Sequence, residues 1–307
     1  MLIHQNFINI ERLKPENSEG FHKGDVIQIS EKIDGANCAV RYDSETNSIA
    51  AQGRKNILDD KNGLRGFYQW TQNLDKGLLK SVLGENLVLF GEWLVPHTVK
   101  YPDDKYHTMY CYDVFDLKSG EYLLQTKVKE IISQLNLNYV PVFYEGEFIS
   151  WEHCMSFVGK TKMGGDMGEG IVIKNQTRLN EQDKRMPFYI KIVDDKFRET
   201  QIPGINKADL LEKLKVQEKN QALAETIVTK ARIEKILNKF VDEGVLDENW
   251  NSEQMPVITK KLTGEICRDC IKEEPETVKK IEDFGRIAYK ICMDLAKEIA
   301  SERTENM

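Results

Sequence analysis

The most informative stretch of the chain is SEKIDGANCAV, residues 30–40. It places Lys32 beside Glu31 in a run that otherwise resembles a buried strand, with Asp34 and Gly35 directly behind. A lysine at a strand end is usually a solvated charge, but an unprotonated amine in a suitable environment can act as a nucleophile. The pattern KxDG alone arises by chance in roughly one in ten chains of this size. Its meaning therefore depends on the stretches that follow.

Five later stretches bring further charged or aromatic candidates, each within or at the end of a predicted strand. The stretches GRKN, LFGEWLVP, YCYDVFDL, GEGIVIKN and FYIKIVDDKF contribute Arg54, Glu92, Tyr112, Glu169, Lys174 and Lys191. Each residue taken alone is more often a surface charge, a turn acid or a core aromatic. The ordered set after Lys32 is what indicates a functional site.

The distribution of residue types along the chain predicts two domains, residues 1–203 and 204–307. The first contains short β-branched and aromatic runs bounded by turn residues, and 16 of the 20 glycines lie before residue 204, as a turn-rich α+β domain requires. Apolar residues at helical spacing then predict an all-α domain, at Ile233, Ile236, Leu237 and Phe240 and again from Ile281 to Ile299. We interpret QIPG, residues 201–204, as the linker.

Composition narrows the class of protein. The net charge of −7 argues mildly against a nucleic-acid partner, which would have to bind a local basic patch. No apolar run of 18 residues predicts a membrane span, and no signal peptide is evident, so we expect a cytoplasmic protein with reduced thiols.

The CxxC of Cys267 and Cys270 lacks the second ligand pair of a zinc site. The phosphate-loop, HExxH, GxSxG and GxGxxG motifs are absent from the sequence.

The ordered motifs resemble those of the covalent nucleotidyltransferase superfamily of polynucleotide ligases and capping enzymes. EKIDGAN, residues 31–37, is most similar to the EKxxGxN form of the phage RNA ligase 2 family, which includes RNA-editing ligases. The resemblance spans residues 31–197 and continues into the helical C-terminal half, where DNA ligases and capping enzymes carry a β-barrel. It implies an α+β fold, with an N-terminal nucleotidyltransferase domain of ATP-grasp-like antiparallel sheets and a C-terminal all-α domain.

The resemblance also implies an activity, that of an ATP-dependent RNA ligase using Mg²⁺ or Mn²⁺. In such enzymes a lysine attacks the α-phosphate of ATP, the AMP passes to an RNA 5′-phosphate, and a 3′-hydroxyl displaces it. The implied partner is RNA with 3′-hydroxyl and 5′-phosphate ends, with no membrane, and the expected protein is a monomer that acts in RNA repair. An amine nucleophile must be unprotonated, and burial and nearby positive charges favour that form.

Family patterns assign roles to individual residues. Lys32 is the nucleophile, and Lys174 and Lys191 contact the phosphates, with Glu169 in a catalytic role. Glu92 and Glu169 hold the ribose hydroxyls or the water shell of the metal. The expected nucleotide-binding set is Glu31, Lys32, Asn37, Arg54, Glu92, Tyr112, Glu169, Lys174 and Lys191, in which Glu31 contacts adenine and Tyr112 stacks on it. The expected RNA contacts are Arg54, which with Asn37 orients the ribose, the phosphate or the RNA end, and in the helical half Arg232 and Asp269.

One departure from the family pattern leaves alternatives open. The family commonly has a second lysine two places after the first in its last motif, whereas Val193 follows Lys191 here. Either Lys191 serves both roles, or Lys196 reaches in, or the register differs by two. The rival functions are a nick-sealing DNA ligase, a capping-type guanylyltransferase and a non-catalytic module that binds RNA ends.

Overall fold

The computed structural model describes residues 3–179, 187–197 and 207–305. In these ranges the strands are β1 (Glu11–Arg12), β2 (Val26–Lys32), β3 (Ala36–Asp43), β4 (Ser48–Gly53), β5 (Leu87–Leu94), β6 (Thr108–Asp116), β7 (Glu121–Tyr122), β8 (Asn138–Tyr139), β9 (Val142–Glu147), β10 (Gly170–Leu179) and β11 (Pro187–Val193). The helices are α1 (Pro15–Ser18), α2 (Phe67–Thr71), α3 (Lys76–Leu83), α4 (Gln125–Gln134), α5 (Trp151–Met155), α6 (Lys207–Ile227), α7 (Lys230–Asp242), α8 (Met255–Glu273), α9 (Pro275–Val278) and α10 (Phe284–Glu305).

The chain divides into two compact units, Met1–Asn206 and Lys207–Met307. All the strands of the described residues belong to the first unit, and the second is built from helices. The predicted α+β class, with antiparallel sheets followed by helices, is therefore confirmed. The stretch that we interpret as a linker, residues 201–204, lies outside the described residues.

The first unit contains two sheets. The order of the five-stranded sheet is β1-β11-β10-β2-β9, and all of its neighbours are antiparallel except β1 and β11, which are parallel. The six-stranded sheet has the order β4-β3-β5-β6-β7, and β8 pairs in parallel with β6. The strand that ends at Lys32 thus lies in the interior of the five-stranded sheet, between β10 and β9.

Alternation along the strands of the six-stranded sheet separates a core face from a second face. On one face, Cys111 and Val40 are fully buried in a cluster that also contains residues of α3 and α4, such as Leu79 and Ile131. On the other face, Phe90 packs with partly buried aromatic side chains, including that of Tyr112. Because successive side chains of a strand point to opposite faces, Cys111 enters the core while Tyr112 remains available on the far side.

The register of the five-stranded sheet aligns three rows of residues on one face. Gln28, Lys174 and Tyr189 form the first row, Ser30, Val172 and Lys191 the second, and Lys32, Gly170 and Val193 the third. Residues two apart on a strand share a face, so the lysines of three strands are displayed on the same side of the sheet.

The C-terminal unit is held together by the apolar stripes of its helices. Ile233, Ile236, Leu237 and Phe240 of α7 are buried, as their spacing predicts, and they join a cluster with residues of α8 and α10. Of the second stripe, Ile281 precedes α10 and the remainder lies on that helix. Cys267 and Cys270 both lie on α8. None of the helices in the described part of the chain is both long and apolar enough to span a bilayer.

Candidate active site

A cavity of about 540 Å³ lies in the first unit and is lined by both sheets and by the N-terminal segment. The sequence-predicted residues on its wall are Glu31, Lys32, Asn37, Arg54, Glu92, Tyr112, Glu169, Lys174 and Lys191. All nine residues expected to bind the nucleotide are therefore brought together in one place, although the first and last are 160 positions apart. The cavity is large enough to enclose a ligand of nucleotide size.

Lys32 is the last residue of β2, and its side chain lines the cavity. Its Nζ donates a hydrogen bond of 2.6 Å to Oε2 of Glu169, the residue that precedes β10. Gly170 is the cross-strand partner of Lys32, and a Cβ at this position would lie 2.1 Å from the Ile192 carbonyl oxygen. Only glycine fits there, and this close approach of the backbones holds Lys32 and Glu169 next to each other.

Glu92 forms a second carboxylate on the cavity wall, on β5. Its Oε1 accepts a hydrogen bond of 3.2 Å from the Gly35 backbone N–H. Burial raises the pKa of Glu92 to about 8, an effect that the nearby charge of Glu169 reinforces and that of Lys32 opposes. Near neutral pH this carboxyl therefore retains its proton in the absence of a further positive charge, so a cation that enters the cavity would favour its ionisation.

Lys174 crosses from the five-stranded sheet to the six-stranded sheet beneath the cavity. Its Nζ donates to Asp113 Oδ2 at 2.9 Å and to the Tyr112 carbonyl oxygen at 2.6 Å. The Lys174 and Asp113 side chains are 2 % and 0 % exposed. Burial lowers the pKa of Lys174 and raises that of Asp113, while their mutual attraction opposes both shifts. Asp113 Oδ1 also accepts hydrogen bonds from Gln125 and Tyr189, which complete a buried polar network.

The Tyr112 ring borders the cavity next to the N-terminal segment. Its hydroxyl accepts a hydrogen bond from Asn37 Nδ2, which fixes the ring. Phe7 contacts the ring edge-on, with centroids 5.0 Å apart, and the Lys174 Nζ lies 5.7 Å from the ring centroid. The arrangement offers a partly exposed aromatic surface of the kind on which a flat heterocycle can stack.

Lys191 and Arg54 contribute positive charge to the wall. Burial lowers the pKa of the Lys191 amine, and the charges of Lys32, Arg12 and Arg54 lower it further, while Glu169 acts in the opposite direction. Arg54 is exposed at the end of the β4 hairpin and faces the same cavity. These groups make this part of the cavity suited to an anion.

The two acidic residues near Lys32, Glu31 and Asp34, form hydrogen bonds with loop residues. Glu31 accepts hydrogen bonds from Thr161 Oγ1 at 2.6 Å and from the Lys162 backbone N–H at 2.7 Å. Because these bonds occupy both carboxylate oxygens, the adenine contact implied for Glu31 would have to compete with them or use backbone atoms. Asp34 accepts from the Val99 backbone N–H at 2.8 Å, and its other oxygen lies 3.5 Å from His97 Nδ1.

Two residues with predicted RNA contacts, Arg232 and Asp269, belong to the C-terminal unit. They form an ion pair with Nε 3.2 Å from Oδ2, joining α7 to α8. Arg232 Nη1 also donates to the Ile227 carbonyl oxygen and to Cys270 Sγ, each at 2.9 Å. Most donors of this arginine are thus used within the unit, and its role toward RNA stays a prediction.

Sequence reasoning missed several residues of the wall. The N-terminal segment contributes Phe7, Ile8, Asn9 and Ile10. The other unpredicted polar residues of the lining are Ser30, Asp34, His97 and Asp113. The only local signal was the presence of acids beside Tyr112. Val193 lies at the end of the row that starts at Lys32, separated from it by Gly170, and the cavity lining does not include it.

Comparisons with known proteins show which family the sequence matches. A family model described as RNA ligase matches residues 25–193, more than half of the chain. Among solved structures, Naegleria gruberi RNA ligase with PPi is 20% identical with a TM-score of 0.47, and a mutant of that ligase with ATP and Mn is 20% identical with a TM-score of 0.49. Each match covers 62% of this chain and 56% of the other, so the chain spans little more than half of their length. Among curated proteins, no relative matches the sequence.

Proposed function

Because this chain belongs to the RNA ligase family, we propose that it is an ATP-dependent RNA ligase that joins 3′-hydroxyl and 5′-phosphate ends through a lysyl-AMP on Lys32. The proposed biological role is the repair of RNA breaks. The observation that carries the proposal is the position of the Lys32 amine, 2.6 Å from Glu169 on the wall of a nucleotide-sized cavity that also contains Lys174, Lys191 and Arg54.

The first step uses the Lys32 amine as nucleophile. Its lone pair forms a bond from Nζ to the α-phosphorus of ATP while the bond to the bridging oxygen of pyrophosphate breaks, and the electron pair leaves on that oxygen. The nitrogen loses its protons to solvent or to a neighbouring base such as Glu169. Charge develops on the phosphate oxygens during this exchange, so the cations of Lys191 and Arg54 stabilise the transition state more than the ground state.

The second step returns Lys32 to its starting form, with Nζ regaining its protons from solvent, and the third step joins the RNA ends. An oxygen of the RNA 5′-phosphate attacks the α-phosphorus, the Nζ–phosphorus bond breaks, and AMP is transferred to the RNA. The 3′-hydroxyl oxygen then attacks the 5′-phosphate phosphorus and loses its proton to solvent. The new oxygen–phosphorus bond completes the phosphodiester, and AMP leaves as its bond to that phosphorus breaks. We assign all bond changes to the N-terminal unit and the positioning of RNA to the C-terminal helices, including Arg232 and Asp269.

The remaining wall residues have roles in binding. We assign Tyr112 to stacking on the adenine, with Asn37 holding its hydroxyl in place. We assign Glu92 to accept a hydrogen bond from a ribose hydroxyl. Lys174 is held by Asp113 and Tyr112, so its charge acts on the α-phosphate from a fixed position beneath the cavity.

The donor set fits a divalent cation held mainly by the substrate. Glu92 and Glu169 supply hard carboxylate oxygens, and the described residues contain no group of three potential metal ligands. Mg²⁺ is typically bound by one or two carboxylates, water and substrate phosphates, which matches this set. When bound, such an ion neutralises charge that develops on the phosphates. Its approach would also favour the ionised form of Glu92.

The test is the intact mass of the purified protein before and after addition of ATP and Mg²⁺. We expect a gain of one AMP that disappears on addition of pyrophosphate, and no gain in Lys32→Ala. Lys23→Ala serves as a matched control because Lys23 is exposed and outside the cavity lining. An AMP adduct that persists in Lys32→Ala would remove this lysine from its role.

Parallel reactions separate the rival functions. A mass gain from GTP but not ATP would favour a capping-type guanylyltransferase, and faster sealing of nicked DNA than of nicked RNA would favour a DNA ligase. Binding of 5′-phosphorylated RNA without any adduct would favour a non-catalytic module, for which the uncharged Val193 is the motivating feature.

A further inference from the structure

Arg12 lies at the edge of the five-stranded sheet, directly beside Lys191. The strand β1 contains only two residues, and the register pairs Arg12 with Lys191 in parallel. The next residue continues the contact, because the Leu13 backbone N–H donates to the Lys191 carbonyl oxygen at 3.0 Å. The backbone of Arg12 is therefore fixed against the strand that carries a proposed phosphate-binding lysine.

The register also determines which face Arg12 occupies. Lys191 is aligned with Val172 and Val172 with Ser30, and all three line the cavity. Residues paired across neighbouring strands point to the same face of a sheet, so Arg12 extends this row beyond Lys191. Ile10, two residues earlier, lines the cavity, whereas Arg12 itself is not among the lining residues and lies next to Lys191 at the end of the row.

The charges around this row are unbalanced. Arg12, Lys32 and Arg54 are all close enough to Lys191 to lower the pKa of its amine, and Glu169 is the acid that opposes them. Glu169 already forms an ion pair with Lys32. Within the described ranges, no carboxylate forms an ion pair or hydrogen bond with the side chains of Arg12, Arg54 or Lys191. Three neighbouring cations that lack an ion-paired carboxylate among the described residues favour a ligand with several negative charges.

We propose that Arg12 is a phosphate-binding residue that, with Lys191 and Arg54, holds a phosphate group adjoining the one attacked by Lys32. This inference rests on the proposed function. The row that contains Lys32 offers no cation on β11, since Val193 occupies that position. Arg12 provides one from the neighbouring strand, and its guanidinium can bind two phosphate oxygens at once.

Two ligands carry a phosphate to this position. One is the pyrophosphate portion of ATP during the first step, and the other is the 5′-phosphate of the RNA during the later steps. Either phosphate would bind to the same three cations, so the experiment has to measure the first step and the later steps separately.

The test compares Arg12→Gln and Arg12→Lys with the wild type and with Lys23→Gln, which removes one exposed charge outside the cavity. Three rates are measured, namely formation of the AMP adduct from ATP, loss of the adduct on addition of pyrophosphate, and joining of RNA that already carries a 5′-adenylate. Affinity for inorganic pyrophosphate is measured by calorimetry. Thermal unfolding verifies folding, and we expect it to be unchanged because the Arg12 side chain forms no hydrogen bond with the described residues.

We expect Arg12→Gln to reduce at least one rate by about tenfold to a hundredfold, the usual effect of losing a hydrogen bond to a charged group, with Arg12→Lys intermediate and Lys23→Gln unchanged. Loss of the first two rates and of pyrophosphate affinity identifies the ATP phosphates, and loss of the third rate alone identifies the RNA phosphate. Equal rates and affinity in Arg12→Gln and Lys23→Gln overturn the proposal. If the wild type forms no adduct, the proposed function fails, and pyrophosphate affinity alone then decides the role of Arg12.

Discussion

Lys174 and Asp113 form a buried ion pair, with Nζ 2.9 Å from Oδ2, that links the two sheets of the N-terminal unit beneath the cavity. A charge removed from water is tolerated only when a partner compensates for the lost hydration. The pair therefore has two effects. It fixes the two sheets relative to each other at this point, and it keeps a positive charge below the proposed α-phosphate position.

Asp113→Asn should destabilise the protein by about 3 kcal/mol, because it leaves the Lys174 ammonium buried without a counter-charge. In a Lys174→Met background the same substitution should cost much less, since no buried charge remains. Chemical denaturation of the four proteins measures this coupling as a double-mutant cycle. Equal costs in the two backgrounds would show that the ion pair contributes no coupling energy.

Glu92→Gln should make stability less dependent on pH. The folded-state pKa of about 8 exceeds that of an exposed glutamate, so the folded protein binds the proton more tightly. Folding stability from this group is thus complete at low pH and is lost as the pH rises from about 4.5 to 8. Because the cavity admits water, we expect a gain of only about 1 kcal/mol for Glu92→Gln at pH 8 and almost none at pH 5.

Thermal unfolding across this pH range checks the prediction for Glu92. The control is Glu85→Gln, at an exposed position outside the cavity lining, which should follow the wild-type curve. A gain in the melting temperature of Glu92→Gln that is equal at pH 5 and pH 8 would contradict the assigned direction of the shift.

Gly170→Ala should weaken both stability and formation of the AMP adduct. The added Cβ would lie 2.1 Å from the Ile192 carbonyl oxygen and 2.9 Å from the Val193 Cα, so the backbones of β10 and β11 would have to separate. We expect the free energy of unfolding to fall by about 2–4 kcal/mol. Adduct formation should also be slower, because Gly170 pairs with Lys32 across the strands and directly follows Glu169.

Gly285→Ala provides the contrasting case for Gly170. A Cβ at this helical position meets nothing within 4 Å, and alanine favours a helix by up to about 1 kcal/mol over glycine. Urea denaturation should therefore give opposite signs for the two alanines. A neutral Gly170→Ala would mean that the strands relax more easily than the register indicates.

Arg232→Ala should lower the stability of the C-terminal unit by about 2–4 kcal/mol. Its side chain is 18% exposed and connects Asp269, the Ile227 carbonyl oxygen and Cys270, which would lose their partner. We expect this variant to form the AMP adduct yet join RNA poorly. Calorimetric unfolding should show the change, and impaired joining with unaltered unfolding would instead indicate direct contact with RNA.

Local sequence patterns predicted the strands that display the lysines. The stretches GEGIVIKN and FYIKIVDDKF predict strands that carry Lys174 and Lys191, and the structure has these two lysines on β10 and β11. The apolar spacing in KARIEKIL likewise predicted the buried side of α7. These features follow from neighbours a few residues apart, for which the periods of strands and helices are reliable guides.

The contacts that local patterns could not predict are those between distant segments. Arg12 belongs to a two-residue strand whose pairing partner lies 179 residues later, and no periodicity exists over two residues. Asp113 resembles any other acid within YCYDVFDL until the sheets are brought together. Glu31 offers a third case, since its carboxylate binds Thr161 and Lys162 across the chain. Each contact depends on tertiary packing and not on propensity.

The order of the five-stranded sheet has a consequence for synthesis on the ribosome. Lys32 leaves the ribosome well before β11, the strand that carries Lys191 and ends at Val193, because Lys191 follows Lys32 by 159 residues. At typical elongation rates this interval lasts on the order of ten seconds or more. During this interval the nascent chain exposes Lys32 without Lys174, Lys191 and Glu169, so under the proposed function it would form no adduct with ATP until the N-terminal unit has emerged.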